Sequence, residues 1–472
     1  MEYTAREYQK RMTQAVLDLE ACALWADPGL GKSVSLLSAI VALQEDRFET
    51  TRWLIVAPKR VIQLTWPKEI AKWAHTQHLD WRIVDTDDIH LHRVQHPKDP
   101  ARKMLTIKDR AGTKKRLQGM PETIHLVSNE QFPHLVKAYG VNFPYDGLAI
   151  DEARSLLSSK NLVFRAVRAV RPFLNRFVEL TGTPAANGLE DIYSPVGLLD
   201  GGKRLGKSKK EFRERFMRVS HTIEVGNRTV PMWEMRDKES VIDAVKDICF
   251  AFRQEDWLEL PELIITPEWV RIPNHAKVLH DELKRELVAE VNGNILTAAQ
   301  AGTKLAKLLQ IANGRVIVET EDGEKTAQVV HEAKLDALEE IVENTERGII
   351  VGYRYTADRE AILKRLGKKA GRIDRLQDWI AGKFPVLVMH PKEGGHGLDG
   401  LQGAGHNVVW YGCPHDLDHF KQLNSRLHRH GTQAGHVLVR VLCAADTIED
   451  KLPERLAGKG NLQNGLLEAL KG

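Results

Sequence analysis

Two tandem α/β lobes, each wound about a parallel sheet and joined through a helical insertion, are the fold class this sequence predicts. Three observations carry that expectation. Short apolar runs alternate with amphipathic stretches over the first two hundred residues. The same alternation restarts near residue 333. Between the two series, 201–330 lacks strand periodicity and carries basic, helix-like segments such as 207–218. The predicted organisation is therefore a first lobe over 1–200, a helical insertion and linker over 201–330, and a second lobe over 331–472.

The strands of the first series are read at 21–26, 53–58, 81–85, 123–128, 147–151 and 176–181. Each is four to six residues long, rich in β-branched or aromatic side chains, and lacks strict alternation. Such runs suit strands covered on both faces, as in a parallel sheet. The stretch 33–44 between the first two reads as a helix with Val34, Leu37 and Val41 along one face. Pro67 interrupts 61–74, so a helix there must kink or restart. In the second series, strands are read at 348–352, 385–389, 407–411 and 437–442, with helices at 334–344 and 357–366.

Composition narrows the class of protein. At 472 residues the chain exceeds one ordinary core, and 42% hydrophobic with 28% charged residues is the balance of a globular protein. No apolar run approaches the ~20 residues that span a bilayer, and residues 1–12 lack the apolar core of a secretory signal. The expectation is a cytoplasmic protein, neither secreted nor membrane-bound. Four scattered cysteines, Cys22, Cys249, Cys413 and Cys443, fit buried thiols rather than a disulfide framework or a zinc ribbon. A net charge of +4 is compatible with a nucleic-acid partner without requiring one.

The chemistry is concentrated in a few short segments. Residues 26–33, ADPGLGKS, follow an apolar strand and open a helix, which is the context of a phosphate-binding loop. Only Ala26 departs from the usual pattern, standing at the first glycine position. Asp27, Gly29, Leu30 and Gly31 supply the turn of backbone that wraps phosphates. Helix N-terminal amides then face the anion with roughly half a positive charge. Lys32 can reach β- and γ-phosphates, and the Ser33 hydroxyl can bind Mg²⁺. Asp151 and Glu152 end a further strand, giving a carboxylate for Mg²⁺ and a neighbour that orients the attacking water. In 422–433, Gln422, Arg426 and Arg429 fall at helical spacings that put both guanidinium groups near one face. They belong to the second lobe, and arginine fingers of this kind raise phosphoryl-transfer rates by about 10³–10⁵.

The order of these motifs resembles helicase superfamily two, and within it the SWI/SNF-like ATPases, over most of the chain. AREYQ (5–9) is similar to that family's opening Arg-x-Tyr-Gln, so Arg6 and Gln9 are expected at the adenine. Residues 54–73 resemble the segment after the second strand, with Trp66, Glu69 and Trp73 in register. VSNEQF (127–132) and AIDEARSLLSSK (149–160) resemble the next two motifs, with Arg154 where His is common. LTGTPAANGLEDIY (180–193) looks like the third motif, implying that Thr181 and Thr183 couple the nucleotide site to the track. Residues 250–262 are similar to the family's joint, with Arg253 alone of an arginine pair. KEGGHGLDG (392–400) resembles the glycine-rich motif of the second lobe, so Gly395, Gly397 and Asp399 are expected to share the coupling, with Asp399 replacing Asn.

The resemblance implies two RecA-like P-loop NTPase lobes, ATP and Mg²⁺ as cofactors, and a motor translocating on double-stranded DNA. It also implies a compact member of the phage or bacterial type, acting as a monomer or assembled on DNA. Basic residues in 102–116 and 203–218 are available to phosphates, although charged runs are more often solvated surface. Two alternatives stay open: a strand-separating DNA or RNA helicase using the same motor, and a clamp that binds ATP without hydrolysing it. Glu152 argues against the clamp, which has no need of a water-activating carboxylate.

Overall fold

A computed structural model describes the chain except for residues 97–98, 159–160, 186–187, 226–227, 294–297, 320–324, 346–347, 392–399, 413, 415–416, 430–431, 433 and 452–472. It divides into two compact units. Among the described residues, the first comprises Met1–Arg218 and Glu234–Trp257, and the second Val219–Trp233 with the residues from Leu258 onward.

The first unit is built on seven strands: β1 (Ala21–Ala26), β2 (Trp53–Ala57), β3 (Trp81–Val84), β4 (Ile124–Ser128), β5 (Gly147–Asp151), β6 (Arg176–Thr181) and β7 (Cys249–Phe252). Their order across the sheet is β7-β1-β6-β5-β2-β4-β3, every neighbouring pair parallel. All residues of β1, β2, β4 and β5 are buried, which explains their continuous apolar runs. One polar side chain breaks the pattern. Glu179, in β6, is 1% exposed beside the buried thiols Cys22 and Cys249. Burial pushes its carboxyl up to about 8, opposed by the charge of Arg171.

The segment around Pro67 changes helix type without a break. A π-helical turn over Val61–Thr65 precedes the α-helix Trp66–Lys72, and the Trp66 amide donates to the Val61 carbonyl, five residues back. Pro67 has no N–H to give to the previous turn, so the ladder widens just before it.

The second unit holds β8 (Glu262–Val270), β9 (Gly348–Gly352), β10 (Ala370–Arg372), β11 (Val386–Met389), β12 (Gly405–Trp410) and β13 (His436–Ala444). The order is β8-β13-β12-β9-β11-β10, again parallel throughout. A buried polar network ties its helices together. Lys334 Nζ lies 2.6 Å from Glu449 Oε2 and donates to Asn313 Oδ1 at 2.9 Å, while Asn313 Nδ2 donates to Asp358 Oδ2 at 2.9 Å. Burial raises the Asp358 carboxyl to about 7. Removing one member of such a buried pair costs about 3–5 kcal/mol, because the other charge is stranded.

The structure corrects the reading of 201–330. Helices are present there, including Lys209–Phe216, Asn274–Gly293 and Ala298–Ala312, but so are strands. β7 completes the first sheet, β8 opens the second, Met217–Val225 and Arg228–Met235 form a two-stranded sheet, and Arg315–Glu319 pairs antiparallel with Lys325–Val329. β8 escaped notice for a physical reason. It is an edge strand whose residues are all at least partly exposed, and it contains Pro267, which only an edge position tolerates.

Candidate nucleotide site

In a parallel sheet, the loops that leave the carboxyl ends of the strands converge along one edge. The first unit brings β1, β5 and β6 together there. β6 lies between the other two, with Trp25 level with Thr181 and Asp151 level with Leu180. The loop after Ala26 and the carboxylate of Asp151 thus leave strands two places apart, about 10 Å at the usual strand spacing.

The loop itself has the shape that anion binding needs. Gly29 (φ 90°) and Gly31 (φ 80°) both lie in the left-handed region, and Gly31 caps the helix Lys32–Val41. Positive φ at alternate positions turns successive amides toward one concavity. A side chain at Gly31 would also collide with Gln9, since a Cβ there falls 2.5 Å from Gln9 Nε2. Leu30 is fully buried and anchors the loop from beneath. The Lys32 ammonium donates to the carbonyls of Ala26 at 2.5 Å and Asp27 at 3.3 Å, so it lies across the loop it would serve. Ser33 occupies the first turn of the helix, as expected.

Gln9 is joined to this loop. Its Oε1 accepts from the Arg6 amide at 3.0 Å and its Nε2 donates to the Leu30 carbonyl at 3.2 Å. Arg6 is the residue just before the helix Glu7–Asp18. The structure therefore places Arg6, Gln9 and the phosphate loop in one assembly.

Asp151 is buried, and both of its oxygens are engaged. Oδ1 accepts from the Glu152 amide at 3.0 Å, and Oδ2 accepts from the Trp66 indole at 3.2 Å. Glu152 adopts φ 56°, ψ 43°, a left-handed conformation costing a non-glycine residue on the order of 1–3 kcal/mol. That turn ends the strand sharply at the carboxylate pair. Thr181 and Thr183 are buried beside the loop, where the Thr183 amide donates to Thr181 Oγ1 at 3.3 Å. Gly182 between them packs so closely on Pro28 that a Cβ would lie 3.3 Å from its Cδ.

In the second unit, Gln422 lies on the helix Leu417–Asn424, but Arg426 and Arg429 lie beyond its end. The expected shared helix face is corrected here. Arg426 and Leu427 donate to carbonyls three residues back, tightening the chain into a turn, and Asn424 is held by the Trp410 indole at 3.0 Å. Thr432 Oγ1 closes the turn on the carbonyls of Leu427 and Arg429. Arg426 is 4% exposed and Arg429 half-buried. A cavity of about 480 Å³ opens at the carboxyl ends of β9, β11 and β12, lined by Tyr353, Arg354, His390, Trp410 and Tyr411 among others. Gly395, Gly397 and Asp399 lie outside the described residues, so their expected coupling role has no geometry here.

The family model for the SNF2-related domain matches residues 8–249, which span the loop, both carboxylates and the threonine pair. The chain belongs to the SNF2-related family. Protein p41 of Acyrthosiphon pisum secondary endosymbiont phage 1 is 29% identical to this SNF2-related chain, over 99% of each. The uncharacterized ATP-dependent helicase YqhH of Bacillus subtilis is 24% identical, over 68% of this chain and 60% of its own length. The SWI2/SNF2 ATPase core of Sulfolobus solfataricus in complex with double-stranded DNA is 19% identical, with a TM-score of 0.42 over 99% of this chain and 95% of that one.

The match to the SNF2-related domain stops five residues short of a contact that sequence reasoning missed. Gln254 is 6% exposed, its amide donates to Asp27 Oδ2 at 3.0 Å, and its side-chain amide donates to the Pro28 carbonyl. The Asp27 amide in turn donates to the Phe252 carbonyl at 3.0 Å. Residues 252–254 therefore brace the glycine loop of this SNF2-related chain from the edge strand beside β1. The signal available was position alone: Gln254 adjoins Arg253, in the segment that resembles the family's joint.

Proposed function

We propose that this chain is an ATP-hydrolysing motor that translocates on double-stranded DNA. The observation that carries the reading is the convergence of a glycine nest, Lys32, Asp151, Glu152 and the Thr181–Thr183 pair at one sheet edge. Membership of the SNF2-related family and the helicase named among its relatives support the same reading.

The residues divide the work by chemistry. Gly29, Gly31 and the first amides of the helix at Lys32 cradle the phosphates, while Arg6 and Gln9 meet the base. Lys32 turns from the loop carbonyls to the β- and γ-phosphates, exchanging neutral acceptors for charged ones. Ser33 and Asp151 have the hard oxygen donors that suit Mg²⁺, and that ion would neutralise charge on the same two phosphates. Glu152 orients a water in line with the γ-phosphorus and takes its proton as the water oxygen bonds to phosphorus. The bond to the β–γ bridging oxygen breaks, and the electron pair leaves with ADP. Gln422, Arg426 and Arg429 have the polar and positive groups that would stabilise charge on the transferring group. Thr181 and Thr183 pass the change at the loop to the DNA-contacting surface.

The test is ATP hydrolysis by the purified chain with duplex DNA, single strands and RNA, beside displacement of a third strand from a triplex. Duplex stimulation with triplex displacement is expected. Preferential stimulation by RNA, or strand separation without triplex displacement, would sink the duplex-translocase reading in favour of a helicase.

A further inference from the structure

We propose that Trp66 is a positioning residue for the cation site at Asp151, a role that rests on reading Asp151 as the Mg²⁺ ligand. Trp66 is fully buried, and its indole N–H points at a carboxylate oxygen rather than at a backbone carbonyl. A donor of that kind makes a charge-assisted bond, stronger than one to a neutral acceptor. Because the Glu152 amide holds Oδ1 and the indole holds Oδ2, the carboxylate plane is fixed from both sides. The protein thereby sets the orientation in which this carboxylate would meet a cation or its water.

The local fold looks arranged to deliver this one N–H. Trp66 follows the π-helical turn Val61–Thr65 and precedes Pro67. One extra residue in a helical turn rotates everything after it by roughly 100° relative to a regular α-helix. The widened turn thereby decides which way the indole faces as the next helix begins. Such turns recur at functional sites.

Trp66→Phe keeps the buried ring and removes the donor, whereas Trp66→His restores a ring N–H. Two readouts are needed: the Mg²⁺ concentration giving half-maximal ATP hydrolysis, and Mn²⁺ binding with ADP followed by electron paramagnetic resonance. Folding is checked by circular dichroism and thermal melting. Trp66→Phe is expected to weaken cation binding about tenfold in both readouts with little change in melting temperature. Trp66→His is expected to recover most of the loss. Unchanged cation affinity in folded Trp66→Phe would overturn the proposal, as would equal weakening in both variants, which would mark a packing effect. Wild-type protein that binds Mn²⁺ with ADP but never hydrolyses ATP defeats the hydrolytic reading alone. The two failures are therefore distinguishable.

Discussion

At the scale of single residues, the site is a set of polar groups whose partners are already arranged. Lys32→Ala should abolish turnover, by at least about 10²-fold, and weaken ATP binding, since on the proposed reading it removes the charge that would meet the β- and γ-phosphates. Glu152→Gln should lose turnover to a similar degree while retaining ATP binding. Steady-state hydrolysis and nucleotide titration separate the two, and normal hydrolysis in either variant would remove that residue from its role. Gln254→Ala is a different kind of test, because Gln254 sits under the loop and holds Asp27 and Pro28. It should raise the KM for ATP severalfold with a smaller effect on kcat, and an unchanged KM would make the brace irrelevant to binding. The glycine turn before a helix, and the placing of Asp151 and Glu152 at the end of a strand, were legible in the sequence because each is written in a few consecutive residues. Gln254 and the Trp66 bond to Asp151 were not, since each joins residues far apart in the chain, 227 and 85 positions respectively.

At the scale of elements, the parallel strands were readable because burial on both faces leaves an uninterrupted apolar run. An exposed edge strand loses that signature, which is why β8 went unseen within 201–330, whereas β7 is an apolar run of only four residues set among helix-like segments. The arginine turn illustrates another limit. Helical spacing in 422–429 was real, but the buried bond from Trp410 to Asn424 and the three-residue closures after it end the helix early. Glu179 supplies a prediction that belongs to its strand. Its carboxyl is raised by burial from an ordinary 4.5 to about 8. The folded chain therefore holds a proton that the unfolded chain releases at lower pH. That contribution to stability is whole below the unfolded value and is lost as pH rises through about 8. Glu179→Gln should melt a few degrees above wild type near pH 8.5, with the gap closing toward pH 5. A gap independent of pH would mean that Glu179 is ionised in the folded sheet.

At the scale of the whole molecule, the two units share an architecture but not a complement of residues. The first carries the loop and carboxylates, while the second carries Gln422, Arg426 and Arg429 on a tight turn. If the second unit supplies fingers, Arg429→Ala should slow hydrolysis by about 10³-fold while both units keep their fold, judged by melting and by unaltered nucleotide binding. An unchanged rate would exclude that role. The division into two α/β units was legible because the strand–helix alternation restarts. Their limits were not, because the chain completes the first sheet with β7 only after passing through the two-stranded sheet of Met217–Val225 and Arg228–Met235. That late strand has a consequence for biosynthesis. A ribosome making this protein releases the phosphate loop early, yet the residues that brace it, Phe252 and Gln254, emerge more than two hundred residues later. Nascent chains shorter than that should hold nucleotide poorly. On the proposed reading, the nucleotide site becomes competent only once the stretch leading into the second unit has been made.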